Sequence, residues 1–272
     1  MLSSPLDLST TTSVVLDVDG TIAGPDHQVS PRTRAAIRGI DQHGVPVVLA
    51  TGRARDNVLD IARQIGLRSP AVSCNGAVVS EPVSGRDLRV QPMAPDDIAA
   101  MIRVHEQTGA PLTWFTPRGI FATSTELREL LLALGDPNVF VTPVPNAVPD
   151  DVVKMMIYGT PDEMDAVEPV VRHHVPRATR SLDKLWETSD PDATKWSGIS
   201  FVFDRLGLDP AGTVGLGDGE NDVVWMERIG TPVAMGNARP EARAAAVTVV
   251  GDYAEEGAAV FLEELLRQVV GG

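Results

Sequence analysis

Two aspartates, Asp17 and Asp19, follow directly after the apolar run 14–16 near the start of the chain. An apolar run bounded by Gly and Pro is typical of a buried strand in a parallel sheet. Carboxylates at positions i and i+2 of an extended chain point to the same side, and they repel each other unless a cation lies between them. The pair therefore predicts a polar, cation-binding site at the end of a strand.

Three further groups of polar residues lie at strand ends or helix starts that the sequence predicts. They are Thr51-Gly52-Arg53 after the apolar run 45–50, Lys195 at the start of a helix, and GDGEND at 217–222. Each one alone is typical of a turn, a helix cap or a solvated charge. Ligands of open parallel sheets bind beyond the carboxyl ends of the strands, so four such groups in this order favour one shared site.

Phosphoryl transfer is the chemistry that these residue types fit. It needs a nucleophile, a divalent cation and positive donors around the phosphate oxygens. The carboxylates of Asp17 and Asp218 are typical Mg²⁺ ligands, while Lys195 and Thr51 can neutralise and hydrogen-bond phosphate oxygens. A carboxylate that attacks phosphorus forms an aspartyl-phosphate, so we expect one aspartate of the first pair to attack and the other to move the proton.

The composition limits the possible classes of protein. The chain has 272 residues, of which 43% are hydrophobic, enough for one large domain or two small ones. The formal net charge of -14 argues against a nucleic-acid partner, which needs a basic face. The single cysteine, Cys74, excludes an internal disulfide and indicates a reducing compartment. Without a signal-peptide pattern or an apolar run of roughly 20 residues, we expect a cytoplasmic monomer or homodimer that does not bind membranes.

The order of predicted elements indicates an α/β fold. Strand and helix alternate with short connections over the first 80 residues, including a helix capped by Ser30 and a third strand within PAVSCNGAVV. The alternation returns with a helix at about 195–206, and short connections imply parallel pairing. We therefore predict a doubly wound, mainly parallel core formed by residues 1–81 and 188–272, with an inserted α/β cap domain at 82–187.

The four groups resemble the motifs of a known family. DVDGT, ATGR, the isolated Lys195 and GDGEND are similar to the four motifs of haloacid dehalogenase-like phosphatases, and the insertion resembles the cap of the Cof-type branch. SCNGAVV and AMGNARPEARAAA also resemble stretches typical of that branch, so the likeness covers most of the chain. It implies a Rossmann-like core and a magnesium-dependent phosphomonoesterase that acts on a small phosphorylated metabolite, a sugar phosphate or similar.

The resemblance also implies roles for individual residues. Asp17 is the expected nucleophile and Asp19 the general acid/base, and Mg²⁺ is expected on the carboxylates of Asp17 and Asp218 and the backbone carbonyl of Asp19. The residues expected to hold the phosphate are Thr51, Gly52 and Lys195, and Asn221 is expected to contact the phosphate or to orient Lys195. Three more residues are expected around them. Asp222 is expected either to ligate the metal directly or to support its ligands, and Asn75 is expected at the edge of the site. Arg53 is expected to contact the substrate or the cap, or to form a surface salt bridge.

The segment after Lys195 departs from the family pattern, in which Gly follows the lysine directly. Here Trp196 and Ser197 stand between Lys195 and Gly198. We nevertheless keep the role of Lys195, because it is the only lysine in the returning core segment.

Two other functions remain open at this point. A phosphosugar mutase of related fold would protect its aspartyl-phosphate from water and need a bisphosphorylated sugar as activator. A non-catalytic phospho-acceptor or binding protein is the second alternative, although the complete set of Asp17, Asp19, Lys195 and Asp218 argues against it. A dinucleotide site is excluded because GLGDGE lacks the Gly-x-Gly-x-x-Gly spacing.

Overall fold

A computed structural model describes residues 6–144, 149–181 and 183–271 of the protein. Its strands are β1 Ser13–Leu16, β2 Val47–Leu49, β3 Ala71–Ser73, β4 Val78–Ser80, β5 Asp87–Val90, β6 Leu112–Thr116, β7 Gly119–Ala122, β8 Val139–Val141, β9 Lys154–Tyr158, β10 Thr179–Ser181, β11 Leu185–Ser189, β12 Thr213–Gly217, β13 Thr231–Ala234 and β14 Thr248–Val249. Its α-helices are α1 Pro31–Gln42, α2 Arg55–Ile65, α3 Pro95–Thr108, α4 Thr125–Ala133, α5 Pro161–His174, α6 Lys195–Leu206, α7 Glu220–Met226, α8 Pro240–Ala245 and α9 Gly257–Gly271.

A five-stranded parallel sheet forms the centre of the fold, in the order β14-β13-β12-β1-β2. Strand β1 lies between β12 and β2, and its residue Val14 is in register with Val214 and with Val47. Every residue of β1 is buried, as expected for a strand covered on both faces. The predicted α/β class with a mainly parallel core sheet is therefore confirmed.

The helices of the core begin and end where the local sequence favours it. The backbone N–H of Thr33 donates to the hydroxyl of Ser30 at 3.1 Å, and Pro31 follows as the first residue of α1. Such a cap satisfies one of the backbone donors that a helix start leaves free. Helix α6 ends at Gly207 in the left-handed conformation, which glycine adopts without strain.

The segment PAVSCNGAVV contains two strands where the sequence predicted one. Strands β3 and β4 pair antiparallel, and the chain reverses between them through Cys74, Asn75 and Gly76. All three have positive φ angles, of 48°, 53° and 101°. These angles break an extended strand, and apolar periodicity does not reveal them. One parallel bridge, between Ala50 and Val72, joins β3 to the end of the core sheet.

A second sheet of six strands is built from the middle of the chain, in the order β10-β11-β9-β6-β7-β8. All of its strand pairs are antiparallel except β7 with β8. Its apolar core includes Trp114, Met155 and Trp186, and helix α3 packs against α5 and β9. Strand β5 pairs with β4, and β11 runs to Ser189, so the predicted cap boundaries at 82 and 187 remain predictions.

None of the helices in the described ranges is both long enough and apolar enough to cross a lipid bilayer.

Candidate active site

The ammonium group of Lys195 lies between two carboxylates inside the protein. Its Nζ is 2.6 Å from Oδ1 of Asp17 and 2.7 Å from Oδ1 of Asp222, and the lysine side chain is 1% exposed. A buried lysine is stable only when its charge is paired and hydrogen-bonded, and both conditions hold here. Asp17 follows β1 and Asp222 follows β12, and these neighbouring parallel strands end at the same edge of the sheet.

The start of α6 explains the two residues inserted after Lys195. Thr194 and Ser197 form a capping box: the N–H of Ser197 donates to Oγ1 of Thr194, and the N–H of Thr194 donates to Oγ of Ser197, both at 3.1 Å. Ser197 is thus the reciprocal partner of the cap. This cap makes Lys195 the first residue of α6, and its side chain reaches Asp17.

Three carboxylates form a cluster at this edge. Asp17, Asp218 and Asp222 each place a carboxylate oxygen within 4.8 Å of the others. Burial and the neighbouring carboxylate of Asp222 raise the pKa of Asp17 well above its usual value and the pKa of Asp218 to about 6. One ammonium faces three carboxylates, so the cluster attracts a further cation. Carboxylate oxygens gathered at the carboxyl ends of parallel strands are suitable ligands for a divalent metal ion.

The hydrogen bonds of Asp222 distinguish it from the other two carboxylates. Its Oδ1 accepts from Lys195 and, at 2.9 Å, from the indole N–H of Trp225. Its Oδ2 accepts from the backbone N–H groups of Asp218 and Gly219, at 3.1 and 2.9 Å. Both oxygens are therefore occupied, and Asp222 fixes Lys195 and the loop that carries Asp218.

The carboxylate of Asp19 does not belong to the cluster of three. The chain turns after β1, with Gly20 at φ 74°, so the alternation of an extended strand does not continue to Asp19. Nη2 of Arg53 is 2.7 Å from Oδ1 of Asp19, and Nε is 2.9 Å from Oδ2. Although burial raises it, this pairing with Arg53 lowers the pKa of Asp19 below its usual value. The Arg53 side chain is only 8% exposed, whereas the Asp19 side chain is 50% exposed, so the salt bridge is buried on the arginine side and open to solvent on the aspartate side.

The residues expected to hold a phosphate lie beside the cluster. Thr51 is buried, and its hydroxyl accepts from the backbone N–H of Arg53 at 3.1 Å. The amide of Asn221 donates to Oδ1 of Asn75 at 3.1 Å. A Cβ atom at Gly52 would lie 3.1 Å from the same oxygen, so glycine leaves room for Asn75.

One cavity of about 400 Å³ collects nearly all of these side chains. The predicted site residues in its wall are Asp17, Asp19, Thr51, Gly52, Arg53, Asn75, Lys195, Asp218 and Asn221. Asp222 is fully buried and contributes through Lys195 and the backbone of Asp218. The sequence thus predicted which residues share a site, and the structure adds which atoms face each other.

Other residues of the cavity wall were not predicted. His27 and Asn57 come from the core, and Asp136, Lys154 and Glu187 come from the inserted segment. Lys154 did carry a signal, because it is the one charged residue in the apolar stretch VVKMMIYG. Asp136 lies in the turn segment LGDPN, which resembles an ordinary loop in the sequence.

Asn237 contacts two parts of the acidic edge of the sheet. Its Nδ2 donates to the carbonyl of Gly20 at 2.8 Å and lies 3.3 Å from Oδ2 of Asp218. It therefore ties the turn after β1 to the aspartate that follows β12.

We expect Gly76→Ala to lower both stability and activity. A Cβ atom at Gly76 would lie 1.8 Å from the carbonyl oxygen of Thr194, and the φ of 101° is unfavourable for alanine. The clash displaces the cap of α6 and with it Lys195. The expected loss is about 2–4 kcal/mol in the free energy of unfolding and roughly 100-fold in kcat/KM. Denaturant unfolding and phosphate-release assays measure the two effects.

Gly44→Ala is the matched control for this variant. Gly44 has a φ of 86°, but a Cβ atom there would have no neighbour within 4 Å. The control therefore has the backbone strain without the clash. Its free energy of unfolding should fall by about 1 kcal/mol, and its activity should be normal. Equal activity losses in the two variants would contradict the role given to the contact between Gly76 and Thr194.

Comparison with known proteins gives a consistent result over nearly the whole chain. The profile of one protein family, described as haloacid dehalogenase-like hydrolase, matches residues 14–262. A phosphoglycolate phosphatase of Natronomonas pharaonis is 30% identical over 254 residues, which cover 93% of this chain and 96% of that protein. An HMP-PP phosphatase of Serratia proteamaculans is 25% identical over 258 residues, which cover 92% and 94%.

A solved structure has the same fold. A haloacid dehalogenase-like hydrolase from Bacteroides thetaiotaomicron superposes with a TM-score of 0.84 at 20% identity, over 94% of this chain and 99% of that one. The range that matches the family profile contains every residue of the cavity wall described above.

Proposed function

The chain belongs to the haloacid dehalogenase-like hydrolase family, as a phosphoric monoester hydrolase of the Cof-type branch, and from this premise we propose a magnesium-dependent mechanism through an aspartyl-phosphate on Asp17. The substrate in this proposal is a small phosphorylated metabolite, a sugar phosphate or similar. One observation carries the proposal: the buried ammonium of Lys195 and the carboxylates of Asp17 and Asp218 face the same cavity.

The first chemical step in this proposal belongs to Asp17. One of its carboxylate oxygens attacks phosphorus, and the bond between phosphorus and the ester oxygen breaks. Lys195 holds Asp17 in place and neutralises charge on the phosphoryl oxygens, while Thr51 and Asn221 hydrogen-bond the same group. Binding energy from these contacts orients the phosphorus for attack along the line of the breaking bond.

Asp19 transfers the protons in both steps. It donates a proton to the leaving oxygen, and its carboxylate then takes a proton from the water that attacks the aspartyl-phosphate. Arg53 holds both oxygens of Asp19 and keeps its pKa low, so this role requires the carboxylate to turn from Arg53 toward the leaving group and to take up a proton there before the leaving oxygen departs. Inorganic phosphate leaves, and Asp17 returns to its free form.

The metal-binding residues proposed are the carboxylates of Asp17 and Asp218 and the backbone carbonyl of Asp19. Asp222 is not included as a ligand, because hydrogen bonds occupy both of its oxygens. Bound Mg²⁺ supplies positive charge that offsets the repulsion between nucleophile and phosphate and orients the phosphoryl oxygens.

Residues 82–187 form the cap in this proposal. Phe115, Asp136, Lys154 and Glu187 from this segment face the same cavity as Asp17. The cap closes over the substrate, excludes bulk water during attack and selects the leaving group. We also propose a cytoplasmic location, no nucleic-acid partner, and a monomeric or homodimeric state.

The direct test of the proposed function is hydrolysis of para-nitrophenyl phosphate with Mg²⁺ and with excess chelator. Turnover that requires the metal supports the proposal. Absence of turnover in both conditions, with folded protein, overturns the general phosphatase and leaves a mutase, which would be tested with bisphosphorylated sugars.

Magnesium is expected to stabilise the protein more at neutral than at acidic pH. The pKa of Asp218 is about 6 in the folded protein, above the roughly 3.9 of an unfolded aspartate. The folded state therefore binds this proton more tightly, and the metal-free protein loses stability as pH rises through about 6. Mg²⁺ removes the repulsion that causes this loss, so the rise in Tm on adding Mg²⁺ should be larger at about pH 7.5 than at about pH 5.

Asp218→Asn is the variant that checks this assignment by thermal unfolding. It removes the repulsion and one metal ligand together. Both the loss of stability with rising pH and the rise in Tm on adding Mg²⁺ should therefore be smaller than in the parent protein. A full magnesium-induced rise in this variant would show that Asp218 is not a ligand.

A further inference from the structure

Three charged side chains of the inserted segment face the active cavity, and we call Asp136, Lys154 and Glu187 the cap wall. Lys154 and Glu187 lie on neighbouring strands, where the antiparallel register pairs Lys154 with Ser189 and Met156 with Glu187. The two charged residues are therefore diagonal neighbours on one face of the sheet. Nζ of Lys154 is 2.6 Å from Oε2 of Glu187 and 5.4 Å from the centre of the Phe115 ring.

Asp136 has a different environment. The residue is 8% exposed, and none of the described lysines or arginines forms an ion pair with it. Burial raises its pKa to about 6, against the opposing charges of Lys154 and Arg53 and a hydrogen bond from Asn57. At neutral pH this buried carboxyl is therefore ionised, and it faces the cavity.

The described arginine and lysine side chains of the cavity are already paired. Arg53 binds Asp19, Lys195 binds Asp17 and Asp222, and Lys154 binds Glu187. When all three groups of the cap wall are ionised, one ammonium and two carboxylates leave one net negative charge there. Such a wall repels a second anionic group on a bound ester, because charge interactions with buried groups such as Asp136 are stronger than those in bulk water.

We propose that Asp136 is a specificity-determining residue that selects monophosphates with a neutral polyol leaving group and rejects those that carry a second carboxylate or phosphate. Hydroxyl groups fit this wall because they donate to the carboxylates of Asp136 and Glu187 and accept from Lys154. The inference rests on the proposed phosphatase function, whose cavity it uses. It concerns the leaving group and not the phosphate.

The test compares sorbitol 6-phosphate with 6-phosphogluconate, two open-chain esters that differ only in a terminal CH₂OH or carboxylate. Their Kd values are measured by calorimetry with Mg²⁺ in the Asp17→Asn protein, which binds without turnover, and their kcat/KM values in the active enzyme. We expect about tenfold or greater preference for sorbitol 6-phosphate, and adding Asp136→Asn should reduce the preference to about threefold or less.

Substitutions of the other two cap-wall residues should shift the preference for sorbitol 6-phosphate in opposite directions. Glu187→Gln also removes one negative charge and should reduce the preference, whereas Lys154→Met removes the positive charge and should increase it. Glu126→Gln is the matched control, because Glu126 is exposed on α4 and its loss changes the net charge of the protein by the same amount. Its preference should equal that of the parent protein.

The inference is overturned if the parent protein shows no preference, or if Asp136→Asn and Glu187→Gln leave the preference unchanged. Should Asp136→Asn fail to fold, Glu187→Gln decides alone, since it alters the same charge balance from another strand. Failure of the proposed function would give a different result. The ratio of the two Kd values would still change with the charge of the cap wall, but neither the parent protein nor the cap-wall variants would release phosphate.

Discussion

Asp17→Asn is expected to reduce kcat/KM for para-nitrophenyl phosphate by about 10³- to 10⁶-fold, while the protein remains folded. The amide has the shape of the carboxyl group but cannot attack phosphorus. The stability change is expected to be small, because Lys195 keeps its second partner, Asp222, at 2.7 Å. The substitution also removes one of three mutually repelling carboxylates. Phosphate release and thermal unfolding measured on the same preparation separate loss of chemistry from loss of fold.

Asp204→Asn is the control for this substitution. Asp204 is exposed on α6, the helix that carries Lys195, and it faces no part of the cavity. Its substitution makes the same chemical change and should leave kcat/KM within about twofold of the parent value. If Asp17→Asn keeps more than about a tenth of the activity, Asp17 is not the nucleophile.

Lys195→Met has the largest expected effect on stability. Among the residues that the structure describes, Lys195 is the only cation that contacts Asp17 and Asp222, both of which are buried, so the substitution leaves an uncompensated cluster of carboxylates. Breaking a buried ion pair from one side costs about 3–5 kcal/mol, so the free energy of unfolding should fall by at least that amount. Activity should be lost as well, because the phosphoryl oxygens lose their ammonium partner.

Lys184→Met is the matched control, since Lys184 is an exposed lysine. Its substitution should change stability by about 0.5 kcal/mol or less. The loss in Lys195→Met should be smaller at about pH 5, where more of the cluster is protonated, than at about pH 7.5. If Lys195→Met lost no more unfolding free energy than Lys184→Met at neutral pH, the proposed role of Lys195 in the carboxylate cluster would be contradicted.

The central sheet and the acidic edge could be predicted from the sequence for a simple reason. Asp17, Thr51 and Asp218 each follow an apolar strand of a parallel sheet, and parallel neighbours end at the same edge. Lys195 joins them because Thr194 and Ser197 fix the first turn of its helix, a signal that spans only four residues. Local patterns were therefore sufficient to gather these groups.

The pairing of Asp19 could not be predicted in the same way. It depends on the turn at Gly20 and on the direction of the Arg53 side chain, neither of which has a periodic pattern in sequence. The cap wall is harder still, because the contact between Lys154 and Glu187 depends on the register of two strands far apart in the chain. Asp136 reaches the cavity from a loop, and the conformation of a loop cannot be predicted from its composition.

The central claim is that Asp17 carries the phosphoryl group during turnover, and the Asp19→Asn protein allows the most direct measurement. Para-nitrophenolate leaves without needing a proton, whereas the attack of water on the aspartyl-phosphate needs a base, so this variant should stall after the first step. We expect a rapid burst of para-nitrophenol approaching one equivalent per protein, with the phosphoryl group located on Asp17 by mass spectrometry after acid quenching. Turnover without a burst and without modification of Asp17, in protein that binds Mg²⁺, would contradict the account.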